Sequence, residues 1–245
     1  TLIDYKLGKI SEATKRAIQR LKEKNILVIG ATGRPLSMCK ELESLGIDGF
    51  ITANGAYVKF KDEVIYKSIL NKETVNNIHQ FAKQNRHSLS YFTEKLNMND
   101  VHNEMTLRSL QQTLSLNAYP EIDEDIVNKE IYLMCLYGSS ETIQIYQKTF
   151  PNLIFQQWHP YIANVLQTDV SKSIAAKYIL NYFGYLPSEA IAFGDGENDI
   201  DLLNFVGLGI AMGNANQKLK AVADFVTKDC DSEGVEYALK TLQII

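Results

Sequence analysis

The stretch that most constrains this chain is Ala190–Leu203, AIAFGDGENDIDLL. An apolar run, Ala190–Phe193, stops at Gly194, a glycine- and acid-rich segment follows, and a helical pattern resumes at Ile200. The pattern predicts a buried strand, a tight loop and a helix, with Asp195, Asn198 and Asp199 at the strand's carboxyl end. In open α/β sheets that end is where ligands bind. Asp195 and Asp199 are hard oxygen donors of the type Mg²⁺ takes. The stretch lacks the D-x-D-x-D-G register of a helix–loop–helix calcium site, and a strand precedes it.

The rest of the chain sets bounds on what surrounds this loop. With 245 residues it has room for one large domain or two modest ones. A net charge of −4 argues against nucleic acid or an anionic membrane as the main partner. No apolar run reaches the length that spans a bilayer. Cys39, Cys135 and Cys230 are odd in number and far apart, which predicts buried free thiols in a reducing cytoplasm. His79, His87, His102 and His159 form no paired motif, so a zinc site is not expected.

Ser11 is placed to cap a helix running to about Lys24, and Ile26–Ile29 reads as a parallel strand buried on both faces. Gly30–Pro35 then forms a loop, a helix covers roughly Leu36–Leu45, and Phe50–Thr52 and Tyr57–Phe60 flank a turn at Asn54-Gly55. From about Leu70 the texture changes. Helices over Glu73–Gln84, Asp100–Leu114 and Glu141–Thr149 mix with strands over Ser88–Thr93, Glu130–Tyr137, Leu153–Gln157 and Ile162–Gln167, the last two joined by a Trp158–Tyr161 turn. At Ser171 the βα alternation returns. A helix over Lys172–Phe183 is expected to bury Ile174, Ala175, Tyr178 and Ile179. Strands near Ala190, Gly207–Ala211 and Asp224–Val226 follow, with helices over Ala215–Ala223 and from Glu233. The expected architecture is a discontinuous α/β parallel-sheet core, residues 1–68 and 169–245, with an α+β domain, 69–168, inserted between its halves.

Three clusters fall at strand ends or a helix start: Thr32-Gly33-Arg34, Lys172, and Asp195 with Asn198 and Asp199. They offer a hydroxyl, backbone N–H groups, an ammonium and carboxylates. That set suits a phosphoryl group, with donors for its oxygens and Mg²⁺ to offset its charge. A cation in a helix's first turn opposes the macrodipole, so Lys172 is better explained by an anion held there. The core shows no Ser, Cys or His in an activated setting.

Gly194–Asp199, Ala31–Pro35 and Ser171-Lys172, in this order and spacing, resemble the haloacid dehalogenase-like phosphatases, in the Cof-like subgroup with a large α+β cap. Thr52–Ala56 resembles that subgroup's stretch after its second strand, and Trp158-His159-Pro160 resembles members that hydrolyse sugar phosphates. The resemblance covers essentially the whole chain and implies a Rossmann-like core. It implies that Thr32 bonds a phosphate oxygen and Gly33 offers its N–H. Lys172 would bind phosphate, Asp195 would ligate Mg²⁺, Asp199 would orient a metal-bound water, and Asn198 would touch phosphate or metal. Arg34 and Asn54 would lie at the substrate rim, and Trp158, His159 and Asn164 would meet substrate from the cap. A cytoplasmic enzyme with a small phosphorylated substrate is implied, and no protein partner.

The family's first motif is D-x-D-G-T, and Thr1-Leu2 matches only its end. Both aspartates, the nucleophile and the acid–base, are expected just before residue 1, since Asp4 lies beyond the motif. The alternatives are a catalytically inactive relative that binds a phosphorylated metabolite, and phosphoryl transfer between sugar positions. A nicotinamide-binding reading of Val28–Gly33 is weaker, because Leu36 stands where the third glycine would be.

Overall fold

The computed structural model describes residues 1–4 and 9–245. The chain divides into two compact units: residues 1–33, 39–66 and 171–245, and residues 34–38 and 67–170. In chain order the strands and helices are β1 (Ile3–Asp4), β2 (Lys9–Ile10), α1 (Glu12–Glu23), β3 (Ile29–Ala31), α2 (Lys40–Glu43), β4 (Gly49–Thr52), β5 (Tyr57–Phe60), β6 (Glu63–Lys67), α3 (Lys72–Asn85), β7 (Ser88–Phe92), β8 (Leu96–Met98), α4 (Glu104–Leu114), β9 (Leu133–Tyr137), α5 (Ser140–Thr149), β10 (Ile154–His159), β11 (Ile162–Leu166), α6 (Lys172–Phe183), β12 (Ile191–Gly194), α7 (Ile200–Phe205), β13 (Leu208–Ala211), α8 (Gln217–Val222), β14 (Phe225–Val226) and α9 (Gly234–Thr241).

In the first unit β12, β13 and β14 form one parallel sheet. A second sheet has the order β3-β4-β5-β6, with β3 and β4 parallel and β4 and β5 antiparallel. Both sheets share one core. Ile51 and Val58 pack with Ala175 and Ile179 of α6, Ala192 of β12, Leu202 and Leu203 of α7, and Leu219 of α8. A separate cluster joins Ala17 of α1 to Val235 and Leu239 of α9, around Met212. Helices thus gather in two groups about near-continuous apolar strands, as parallel sheets require. Among the described residues, β3 and β12 are each the outer strand of their sheet.

Local chemistry explains most of the helix ends. The Ser11 hydroxyl accepts the Thr14 N–H at 3.1 Å, and the Ser171 hydroxyl accepts that of Ile174 at 3.3 Å. Gly184, at φ 73°, closes α6 in the left-handed conformation glycine adopts without strain. Three expectations are corrected here. The strand predicted over Ile26–Ile29 lies at Ile29–Ala31 instead, because Asp48 Oδ2 takes the Val28 N–H at 2.8 Å. The helix predicted over Leu36–Leu45 is instead a 3-10 turn, Leu36–Met38, and the one-turn α2, with Cys39 between them at φ −100° and ψ 0°, off the α-helical backbone. Tyr178 is 43% exposed, stacked on Tyr66 at 4.0 Å, while Lys172 takes a buried position on α6. Strands β6 and β8 were not foreseen.

The second unit is a five-stranded antiparallel sheet, order β10-β11-β9-β7-β8. One face packs Leu89, Tyr91, Met134, Leu136 and Val165 against Val75 and Ile78 of α3 and Ile143 and Tyr146 of α5. Register puts Ser90, Cys135 and Asn164 side by side across the sheet. Trp158 and His159 belong to β10 and not to the predicted turn, and the register shifts between Gln157 and His159. All three cysteines are free and buried. Burial pushes the Cys135 thiol up to about 12. Among the described residues no helix is long and apolar enough to cross a membrane.

Two imidazoles of this unit bond to buried tyrosines, His79 Nδ1 to Tyr91 at 2.7 Å and His87 Nδ1 to Tyr146 at 3.1 Å. Burial holds both below the usual histidine value. For His79, Lys83 adds to the effect and Asp100 opposes it. The unfolded chain therefore binds more protons as pH falls through about 6.5, and stability drops. We expect a lower urea midpoint at about pH 5.5 than at about 7.5, and a flatter profile for the double variant His79→Gln/His87→Gln. Equal pH dependence in variant and wild type would refute this origin.

Candidate active site

Four loops of the first unit leave the carboxyl ends of parallel strands: Thr32-Gly33 after β3, Ala53–Gly55 after β4, Asp195–Asp199 after β12, and Gly213-Asn214 after β13. The start of α6 brings Lys172 to the Asp195–Asp199 loop. Lys172 Nζ donates to Asp199 Oδ1 at 2.6 Å, with both side chains less than a tenth exposed. Asp199 Oδ2 accepts the N–H groups of Asp195 and Gly196, each at 3.0 Å. Both Asp199 oxygens are thus engaged, one by the ammonium and one by the loop's own backbone. Lys172 keeps further N–H donors beyond the one spent on Asp199.

Asp195 is more open. Its Oδ1 accepts from the Thr1 hydroxyl and lies 2.9 Å from the Thr1 backbone nitrogen. Its Oδ2 lies 3.5 Å from the Asn214 amide. Asn214 also accepts the Cys230 N–H at 3.0 Å, and the Cys230 thiol meets the Thr1 carbonyl at 2.9 Å. Asn198 Nδ2 donates to Asn54 Oδ1 at 2.8 Å. Thr32 continues the β3–β4 ladder by donating its N–H to Ile51.

The structure therefore gathers Thr32, Gly33, Asn54, Lys172, Asp195, Asn198 and Asp199 in one unit. Asn54 is 7% exposed and hydrogen-bonded, so it is a buried residue and not one at a rim. Arg34 clusters with the second unit, as do Trp158, His159 and Asn164. There the Trp158 indole N–H donates to Asn164 Oδ1 at 2.9 Å. His159 accepts the Tyr161 N–H on Nδ1 and meets Gln112 Oε1 through Nε2 at 3.1 Å, and burial lowers its pKa. The reading of the sequence missed Asn214, and also Asp201, whose Oδ2 accepts from the Ser173 N–H and hydroxyl at 3.2 and 2.7 Å. The position of Asn214 just beyond an apolar strand was the available signal.

Among the described residues no cluster of three or more His, Cys, Asp or Glu side chains forms a metal cage. Mg²⁺ does not require one, since it keeps several waters and takes one or two carboxylates together with substrate phosphate. Asp195, partly exposed and a hard oxygen donor at a strand's carboxyl end, fits that donor chemistry.

A family model described as haloacid dehalogenase-like hydrolase matches residues 1–239. The chain belongs to the haloacid dehalogenase-like hydrolases. YkrA of Bacillus subtilis (strain 168), whose name marks it as a candidate phosphatase, is 34% identical over 239 residues, covering 96% of this chain and 92% of the relative. A crystal structure of a hypothetical protein from Geobacillus kaustophilus HTA426 superposes with TM-score 0.92 at 37% identity, covering 100% of this chain and 96% of the other. The subclass IIB sugar phosphatase BT4131 of the same superfamily superposes with TM-score 0.85 at 32% identity, covering 100% and 96%. The protein is thus a hydrolase of this family, with its Rossmann-like α/β core and inserted α+β cap.

The buried pair yields a stability prediction. Lys172→Met strands the Asp199 carboxylate among buried groups, which costs about 3–5 kcal/mol. Lys172→Met/Asp199→Asn should recover most of that loss in urea denaturation. Failure to recover would mean that the pair is not the source.

Proposed function

We propose that this hydrolase is a Mg²⁺-dependent phosphatase acting on a small phosphorylated metabolite, a sugar phosphate, in the cytoplasm. The observation that carries the reading is the buried Lys172–Asp199 pair beside Asp195, on the loop at the carboxyl end of β12, in the same unit as the Thr32-Gly33 loop at the carboxyl end of β3. The likeness to a sugar phosphatase supports the substrate class. In this reading the two aspartates of the family's first motif, a nucleophile and an acid–base, act beside Asp195.

In this reading the first of those aspartates attacks phosphorus in line. The bond from phosphorus to the leaving oxygen breaks, and the second aspartate protonates that oxygen. An aspartyl-phosphate results. The second aspartate then takes a proton from water, whose oxygen attacks phosphorus and frees phosphate and the first carboxylate. Lys172 and the Thr32 hydroxyl donate to phosphoryl oxygens, and the Gly33 N–H adds a backbone donor. Asp199 fixes the Lys172 ammonium and curls the loop so that Asp195 faces the site. Mg²⁺ held by Asp195 would offset the charge on the phosphoryl oxygens. Asn198 holds the loop against Asn54. Trp158, His159 and Asn164 belong to the unit that would choose the leaving group. No nucleic acid or protein partner is needed.

The test is phosphate release from a panel of sugar phosphates by the full-length protein, with and without Mg²⁺. We expect Mg²⁺-dependent release, lost in Asp195→Ala and lowered about a hundredfold or more in Lys172→Ala. Ligand binding without release would favour an inactive relative. Near-normal rates in Asp195→Ala would remove it from the metal site.

A further inference from the structure

The Ala53–Gly55 turn touches the loops that handle phosphate in the proposed reaction. The Asn54 N–H donates to the Thr32 carbonyl at 3.2 Å. The Asn54 side-chain oxygen accepts from Asn198, midway along the Asp195–Asp199 loop. Gly55 abuts the carbonyl of Ser171, the residue that caps α6 just before Lys172. A Cβ on Gly55 would lie 2.1 Å from that oxygen. Asn54 itself sits at φ 56°, in the left-handed region that asparagine tolerates better than most residues.

The surrounding glycines fit the same bond. A Cβ on Gly33 would lie 2.8 Å from Asn54 Oδ1, and a Cβ on Gly196 would lie 2.6 Å from Asn198 Oδ1. Space is thus cleared on both sides of the Asn54–Asn198 contact. The choice of an amide is also informative. An aspartate at 54 could accept the same N–H, but it would add a negative charge beside a site for a phosphate dianion.

We propose that Asn54 is a positioning residue: its side-chain amide holds Asn198 while its backbone N–H holds Thr32, which locks the Asp195–Asp199 loop to the Thr32-Gly33 loop and sets the distance between metal ligand and phosphate donors. Its kinetic consequence rests on the phosphatase reading, whereas the lock itself does not. The effect is transmitted through Asn198 and does not need contact with substrate.

A double-mutant cycle in the full-length protein tests the proposal, using Asn54→Gly, Asn198→Ala and the two combined. Glycine keeps the left-handed backbone and deletes only the amide. We expect Asn54→Gly to lower kcat by about tenfold to a hundredfold, with a smaller change in KM. The double variant should be no slower than the slower single variant, since both delete one bond. Asn54→Asp should hold its urea midpoint better than Asn54→Gly while still losing turnover. Calorimetry with inorganic phosphate reads the same cycle without catalysis, and there too the two losses should not add. Wild-type kcat and phosphate affinity in Asn54→Gly, or losses that multiply in the double variant, would overturn the lock. A wild-type protein that releases no phosphate would instead overturn the phosphatase reading and leave the calorimetric cycle to decide the lock.

Discussion

The buried pair of Lys172 and Asp199 is the constraint on which the site depends. An ammonium and a carboxylate removed from water are tolerable only when each meets the other and the remaining lone pairs are filled. Here the second Asp199 oxygen is filled by two amides of its own loop. The loop is therefore folded around a carboxylate whose charge is balanced by a residue from a different element. Moving Lys172 would also release the backbone that presents Asp195. A helix start, a strand end and a metal-ligand candidate are joined in one electrostatic unit.

That unit explains why a lysine stands in the first turn of α6, where the helix dipole disfavours it. The local cost is offset by Asp199 in the resting protein. In the proposed reaction the phosphoryl group shares the same ammonium. The neutral Asn54–Asn198 bond works beside it by a different principle, fixing geometry without adding charge. The two contacts divide the labour: one sets the field, the other the spacing.

Much of this was legible in the order of residues, for identifiable reasons. Helix α6 was bounded correctly because its signals are local: Ser171 caps one end and Gly184 closes the other. The Ala190 strand and the loop after it were readable because an apolar run stops at a glycine before a row of acids. The misreadings share a cause too. The Leu36–Leu45 segment reads as one helix, but its backbone leaves the α conformation at Cys39. Tyr178 fits the apolar stripe of α6, yet stacks on Tyr66 at the surface. Trp158 and His159 precede a proline and look like a turn, whereas a register shift carries them within β10. The ties from Asn54 to Asn198 and from Ser173 to Asp201 join residues far apart in the chain, and no periodicity encodes them.

The division of the chain has a consequence for how it is made. The first unit needs residues from both ends, with Ala17 of α1 packed among Val235 and Leu239 of α9. Its core cannot close until α9 has been synthesised. Most of the second unit is one continuous stretch, residues 67–170, and its sheet is built largely from neighbouring strands. During vectorial synthesis that unit can collapse first, while the apolar faces of β4 and β5 wait for α6, α7 and α8, not yet made, to cover them. The discontinuity that places Thr32 and Lys172 in one unit thus creates an interval of exposed apolar strand faces. The burden of that interval falls on folding kinetics and on chaperones, not on the finished structure.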